Sequence, residues 1–310
     1  MDTIRLSVII CSYNPEKEYL NRTLTALKHQ TLDKNQWELL LVDNNSEKLL
    51  SESFDLGWHP NARHLIERKQ GLTAARLNGI REAGGEMLIF VDDDNILSED
   101  YLETACTIAD NDPVIGAFGG SIMPEFEIEP DPKLLKHTGK LAIRTVEQDN
   151  ISNSYSGHTQ PYGAGLVIRK KIAATYADNI KGNTRETLDR VGQSLGSAGD
   201  IDMALTSIDM GYKNGLFKNL ALIHIIPKER LTLDYLGKIR KGVNYSGMLL
   251  RYYRFNKKPP KPYPFPIQMF KHLYKRVTLN KTDYTMYMAS EKARTMFYNT
   301  IRKSKVNDMD

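Results

Sequence analysis

The sequence predicts an α/β protein with a mostly parallel sheet flanked by helices. Three observations carry this. Short apolar runs of strand length recur along the first half of the chain. They alternate with segments whose apolar residues repeat at helical spacing, and parallel strands need such crossover helices. Each early run also ends in a polar cluster: Ser12-Tyr13-Asn14, Asp43-Asn44-Asn45 and Asp92-Asp93-Asp94. Parallel strands set these ends side by side, on the carboxyl edge where open α/β sheets bind ligands.

Taken in order, residues 4–11 read as the first strand. Ser12-Tyr-Asn-Pro15 breaks it, with Asn14 expected as a helix N-cap and Pro15 as the first helical residue. Leu20, Leu24 and Leu27 carry that helix to about Gln30. Residues 37–42 form the second strand and 63–67 a short third. Residues 72–83 are helical, ended by Gly84-Gly85. Residues 87–91 form the fourth strand. Three adjacent carboxylates cannot continue a buried strand, so Asp92 marks its end. A helix N-cap at Asp94 or Asn95 is one competing reading of this cluster.

Residues 124–160, rich in Pro and polar side chains, predict a long loop with short pieces of structure. Gly163-Ala-Gly165 opens into a strand reaching Ile168, and 169–176 is helical. Asp200 stands at the start of another helix with Leu205 and Ile208 on its apolar face. Residues 216–226 form a strand carrying His224. Residues 231–250 look helical. Lys257-Lys-Pro-Pro-Lys-Pro-Tyr-Pro-Phe-Pro266 can only be extended.

The 310 residues are 41% hydrophobic, enough for one large or two smaller domains. The expected division is 1–227 and 228–310, the second part basic and mainly helical. Net charge is a mild +4, with acidic residues dense over 92–131. Tyr and Phe interleave with Lys and Arg across 235–298, a pattern that fits a solvated appendage, a peripheral membrane surface or a surface for an anionic acceptor. Only Cys11 and Cys106 are present, so no disulfide framework is expected. No apolar run approaches the roughly 18–20 residues of a membrane span, and no signal-peptide pattern opens the sequence. A soluble cytoplasmic protein, at most peripheral at the inner membrane face, is the expectation, with no nucleic-acid partner. No Gly-x-Gly-x-x-Gly follows the first strand and no Gly-x-x-x-x-Gly-Lys-Ser/Thr occurs, which argues against a dinucleotide oxidoreductase or a P-loop NTPase.

Asp92 and Asp94 bracket Asp93 in an Asp-x-Asp arrangement. Hard oxygen ligands at that spacing suit Mg²⁺ or Mn²⁺, which commonly bridge carboxylates to substrate phosphates. A solvated acidic turn is the plain alternative. An EF-hand loop is excluded, because Leu97 stands where it needs Gly.

These pieces together resemble a known family. Val8-Ile-Ile-Cys-Ser-Tyr-Asn14, Leu41-Val-Asp-Asn-Asn-Ser46, Gly71-Leu-Thr-Ala-Ala-Arg76 and Ile89-Phe-Val-Asp-Asp-Asp94 are similar, in order, to family 2 glycosyltransferases of GT-A fold. Gly163-Ala-Gly-Leu-Val-Ile-Arg169, Ala198-Gly-Asp200 and His224-Ile-Ile-Pro227 continue the likeness, which covers about residues 4–230. The resemblance implies an inverting, metal-dependent transfer of a sugar from a nucleotide-diphosphate donor, UDP favoured and dTDP or GDP open. The implied acceptor is a hydroxyl on a glycan or lipid-linked intermediate, in polysaccharide or glycoconjugate synthesis.

The implied roles follow by position. Ser12, Tyr13, Asp43 and Arg76 would face the nucleotide. Asp92 and Asp94 would serve the metal, Asp94 most directly, with His224 as a further contact. Asp93 and Asn95 would support them. Gly163 to Gly165 would line the acceptor side, and Asp200 falls where the family carries its catalytic base. This chain has Gly199 where the family often has Glu, which leaves Asp202 as a fallback. Two other readings compete: a sugar-phosphate nucleotidyltransferase, disfavoured because Ser12-Tyr-Asn-Pro15 lacks a Gly-rich basic loop, and a relative that binds nucleotide-sugar or glycan without turnover.

Overall fold

A computed structural model describes residues 4–156, 158–181, 185, 188–192 and 194–307, without the side chains of 304–307. The chain forms two compact units. The first comprises 1–125, 142–186 and 199–226; the second comprises 126–141, 187–198 and 227–310.

The first unit is an α/β sandwich around one sheet. Its elements in order are β1 (Leu6–Ser12), α1 (Lys17–Lys28), β2 (Trp37–Asp43), β3 (Ala62–Ile66), α2 (Leu72–Glu82), β4 (Met87–Val91), β5 (Asn95–Leu97), α3 (Tyr101–Asn111) and β6 (Ile115–Phe126). A short helix in the second unit, α4 (Pro132–Leu135), intervenes before β7 (Asn150–Ser152), β8 (Leu166–Arg169), α5 (Lys170–Ile180), α6 (Gly199–Asp209) and β9 (Lys213–Ile226). The sheet order is β3-β2-β1-β4-β8-β6-β9-β5, with β7 paired to β9.

The expected parallel pairing holds for β3, β2, β1 and β4. Beyond β4 the sheet turns antiparallel, as β8 pairs with β4 and with β6, and β9 with β5 and β7. The sheet is therefore mixed. Alternation along each strand feeds two cores. Val8 and Ile10 pack with Leu20, Leu24 and Leu27 of α1 and with Leu102 and Ala105 of α3. Ile9 faces the other way, with Ala75 of α2, Ile172 and Tyr176 of α5 and Met203 of α6.

Two capping readings are corrected. Asn14 does not cap α1. It sits two residues before the N-cap, Glu16, with φ of 47°, and its side chain is engaged in another loop. Neither Asp94 nor Asn95 starts a helix, because Asn95 begins β5 and α3 starts only after Asp100.

The second unit contains α7 (Leu233–Phe255), α8 (Phe265–Thr278) and α9 (Lys281–Asn307). The Thr232 hydroxyl caps α7 by accepting from Tyr235 N–H. Asn256, in the left-handed region, ends that helix. Helices α7 and α9 are joined by Arg240 Nε and Asn244 Nδ2 donating to Ser290 Oγ, and by Tyr252 packed edge-on against Phe297. Among the described residues no helix is long and apolar enough to cross a membrane.

Candidate active site

The carboxyl edge of the parallel strands gathers the polar strand ends of the first unit. Register sets Ser12 beside Asp43 and Ile10 beside Val91, so the turns after β1, β2 and β4 emerge together. The first two turns are cross-linked. Asn14 N–H donates to Ser46 Oγ at 3.0 Å, and Glu47 N–H donates to Asn14 Oδ1 at 2.9 Å. Tyr13, in the same turn, is exposed.

Asp43 is buried, and its two oxygens accept from Ser46 N–H at 2.8 Å and Leu50 N–H at 3.0 Å. The carboxylate thus shapes its own loop, with lone pairs remaining on each oxygen. Asn44, which the sequence pattern does not single out, is a clamp. Its Nδ2 donates to the carbonyls of Glu67 and Lys69, and its Oδ1 accepts from Gly71 N–H at 2.8 Å. This holds the approach to α2, the helix that carries Arg76.

The acidic turn is organised by fully buried Asn95. Its Oδ1 accepts from Asp92 N–H at 3.2 Å, and its Nδ2 donates to Asp94 Oδ1 at 3.1 Å. Asp93 turns toward β1 and α1: its carboxylate accepts from the Ser12 hydroxyl and its carbonyl from Thr23 Oγ1. Asp94 is buried, with Oδ2 3.5 Å from His224 Nε2. Backbone pairing explains that approach, since Asn95 lies opposite His224 in the β5–β9 ladder and Ile225 N–H donates to the Asp94 carbonyl at 2.9 Å.

A second cluster forms around the glycines before β8. Gly165 N–H donates to the Phe90 carbonyl at 2.9 Å, fastening this loop to the end of β4. Gly165 has φ of 74°, a conformation glycine adopts freely, and its carbonyl accepts from buried Tyr101 Oη at 2.7 Å. Burial raises the Tyr101 phenol pKa, so the hydroxyl keeps its donor proton. Gly163 N–H donates to Asp200 Oδ2 at 2.7 Å. A Cβ on Gly163 would come within 2.5 Å of Arg76 Nη2. The missing side chain lets Arg76 and Asp200 approach the same backbone. Arg76 is buried, with its guanidinium 5.8 Å from the Phe90 ring centroid. Asp202 belongs elsewhere: fully buried, it accepts from Arg185 Nη1 at 3.2 Å.

Ser12 thus meets Asp93, Asp94 meets His224, and Arg76 and Asp200 meet at Gly163. Among the described residues no three His, Cys, Asp or Glu side chains converge as a preformed cation site. The chemistry of the Asp94–His224 pair nonetheless fits Mn²⁺ better than Mg²⁺, since an imidazole beside a carboxylate suits the softer ion. The carboxylate and the imidazole supply two donors, and such ions commonly complete their shells with phosphate oxygens and water.

The profile of glycosyl transferase family 2 matches residues 7–172, more than half of the sequence. The chain belongs to glycosyl transferase family 2. The match takes in the acidic turn and Gly163 but stops before Asp200 and His224. The uncharacterized glycosyltransferase YfnE of Bacillus subtilis is 29% identical over 195 residues, 58% of this chain. The aligned region spans about half of that relative, 49% of its length. Among solved structures, the mannosyltransferase PcManGT of Pyrobaculum calidifontis with GDP-Man and Mn²⁺ aligns at a TM-score of 0.56 and 16% identity, covering 93% of this chain and 73% of that one. TarS of S. aureus with UDP-GlcNAc aligns at 0.54 and 12% identity, covering 97% and 92%. The fold of this family 2 chain is accordingly GT-A.

Proposed function

We propose that the chain is an inverting, divalent-metal-dependent glycosyltransferase. It takes a sugar from a nucleotide-diphosphate donor, a UDP-sugar in first place, and transfers it to a hydroxyl of a glycan or lipid-linked acceptor. The observation that carries this is the buried Asp94–His224 pair, closing to 3.5 Å at the sheet edge where the β1 and β2 turns also emerge. Family membership supports the reaction class. The ligands of the two structural neighbours, a nucleotide sugar in each and Mn²⁺ in one, are compatible with the donor and metal assignments.

In this reading Asp94 and His224 hold the cation, with Asp92 contributing. When bound, such a cation neutralises charge on a departing nucleotide diphosphate. Tyr13, Ser12 and Asp43 border the nucleotide, and Asp93 fixes the β1 turn through Ser12. Arg76 adds a fixed positive charge near Gly163. Asp200 takes the acceptor proton, because a sugar hydroxyl is a weak nucleophile until a base removes its proton. A base on the face opposite the leaving group makes the displacement direct, so the anomeric configuration inverts.

The test is a donor-hydrolysis assay across UDP-, GDP- and dTDP-sugars, with and without Mn²⁺. Metal-dependent release of sugar from one donor class is expected. The absence of turnover and of donor binding across the panel would remove the proposal.

A further inference from the structure

Helix α8 is built inside out for a protein in water. Two of its polar residues, Lys271 and His272, face α9 of the second unit. His272 packs edge-on against Tyr287 of α9 with ring centroids 5.7 Å apart, and Lys271 Nζ lies 3.9 Å from Glu291 Oε1. Glu291 is itself buried and also pairs with Arg294 at 3.2 Å, so this contact anchors the helix by its charged side. The opposite face carries Phe265, Met269, Phe270, Leu273, Tyr274 and Val277, which are between 51% and 79% exposed. No residue of α8 is buried. Six large apolar side chains in one stripe, turned from their own unit, need an apolar phase outside it.

Charge identifies that phase. Residues 235–282 contain twelve Lys or Arg and no Asp or Glu. Lys257, Lys258 and Lys261 lie in the extended stretch leading into α8. A second copy of the chain would bring equally basic stretches together, which like charges oppose. An anionic lipid surface offers both a hydrocarbon boundary and the complementary charge. At about 1.5 Å per residue the 14-residue helix is roughly 21 Å long, too short to span a bilayer but suited to lying in its plane.

We propose that α8 is an interfacial anchor that inserts its Phe265–Val277 stripe into an anionic membrane, with the lysines before it held at the headgroups. The inference is independent of the catalytic reading. Flotation of the full chain with vesicles tests it, using phosphatidylcholine alone and phosphatidylcholine mixed with phosphatidylglycerol. Binding is expected only to the anionic vesicles and falls steeply with added salt. Changing Lys257, Lys258 and Lys261 together to Ala weakens binding about a hundredfold, from roughly fivefold per lysine. The double variant Phe270→Ser, Leu273→Ser abolishes binding and leaves the melting midpoint unchanged, since both sites are exposed. Phe270→Trp shifts its emission to the blue with anionic vesicles and not with phosphatidylcholine. Failure of the full chain to float with anionic vesicles overturns the proposal, as does undiminished binding by the double serine variant. A dimer that this variant splits, without any vesicle binding, overturns it in favour of a second copy as the occupant.

Discussion

Asp94 Oδ2 and His224 Nε2 approach to 3.5 Å because the backbone ladder between β5 and β9 sets Asn95 opposite His224. Asp94 thus reaches the pair from the turn that opens β5 and His224 from β9, and a second side chain, Asn95, holds the carboxylate by its other oxygen. Asp94→Ala is expected to abolish Mn²⁺-dependent donor binding in calorimetry. Asn95→Ala leaves both donors in place but removes the bond that Asp94 Oδ1 accepts, and weakens the metal-dependent binding by about 10–100-fold. Equal affinity in the Asn95 variant would show that the Asp94 orientation is irrelevant.

Asp200 is held by Gly163 N–H, and an asparagine oxygen can accept the same bond. Asp200→Asn should therefore keep the bond to Gly163 and lose the base, together with the bond that Asp200 Oδ1 accepts from Ile201 N–H at 2.8 Å, which an amide nitrogen cannot accept. Turnover is expected to fall by about 10²–10⁴ while donor affinity stays near that of the parent. Steady-state rates and calorimetry on one preparation separate these effects, and near-normal turnover removes Asp200 from the proton transfer.

Gly165 combines positive φ with a full neighbourhood. A Cβ there would lie 2.5 Å from Tyr101 Oη and 2.6 Å from Leu222 Cδ2. Gly165→Ala should destabilise the chain by about 2–4 kcal/mol, from strain and overpacking together. Tyr101→Phe removes only the hydrogen bond to the Gly165 carbonyl and should cost about 1–2 kcal/mol. Urea midpoints check both values and their order.

His59 gives the stability a pH dependence remote from the acidic turn. It is buried edge-on against Trp37, with centroids 4.0 Å apart, and its Nδ1 accepts from Asn61 N–H. Burial, with the Lys34 charge adding, pushes its pKa down from 6.5 to about 4. The unfolded chain therefore binds the proton first as pH falls. The stabilising contribution is complete above 6.5 and is lost between 6.5 and about 4, by up to about 3 kcal/mol. His64, pushed down chiefly by burial, adds to the slope with the same sign. Urea midpoints across this range should fall less steeply in His59→Gln, and parallel slopes would exclude the histidine as the source.

The first four strands were legible because their apolar runs are continuous and each is closed by polar residues. The observed bounds lie within one or two residues of those read from sequence. The mixed half of the sheet was not legible, because the antiparallel pairing of β8 and β9 depends on partners distant in the chain rather than on local periodicity. For the same reason local pattern did not set His224 beside Asp94, and only the family resemblance joined the two at a metal. β5 escaped because three residues show no alternation. Asn14 has the composition of a cap, yet its side chain serves the second turn, a competition that asparagine's short amide invites. For α8 the sequence shows basic and aromatic residues but cannot tell which side faces inward.

The β5–β9 ladder also imposes an order on synthesis. The acidic turn leaves the ribosome long before His224, and β5 has no antiparallel neighbour until residues 213–226 have followed. A nascent chain arrested before β9 therefore carries the carboxylates without their imidazole. Cation capture by the Asp94–His224 pair would then report that this late long-range pairing has formed, rather than that the early parallel strands have folded.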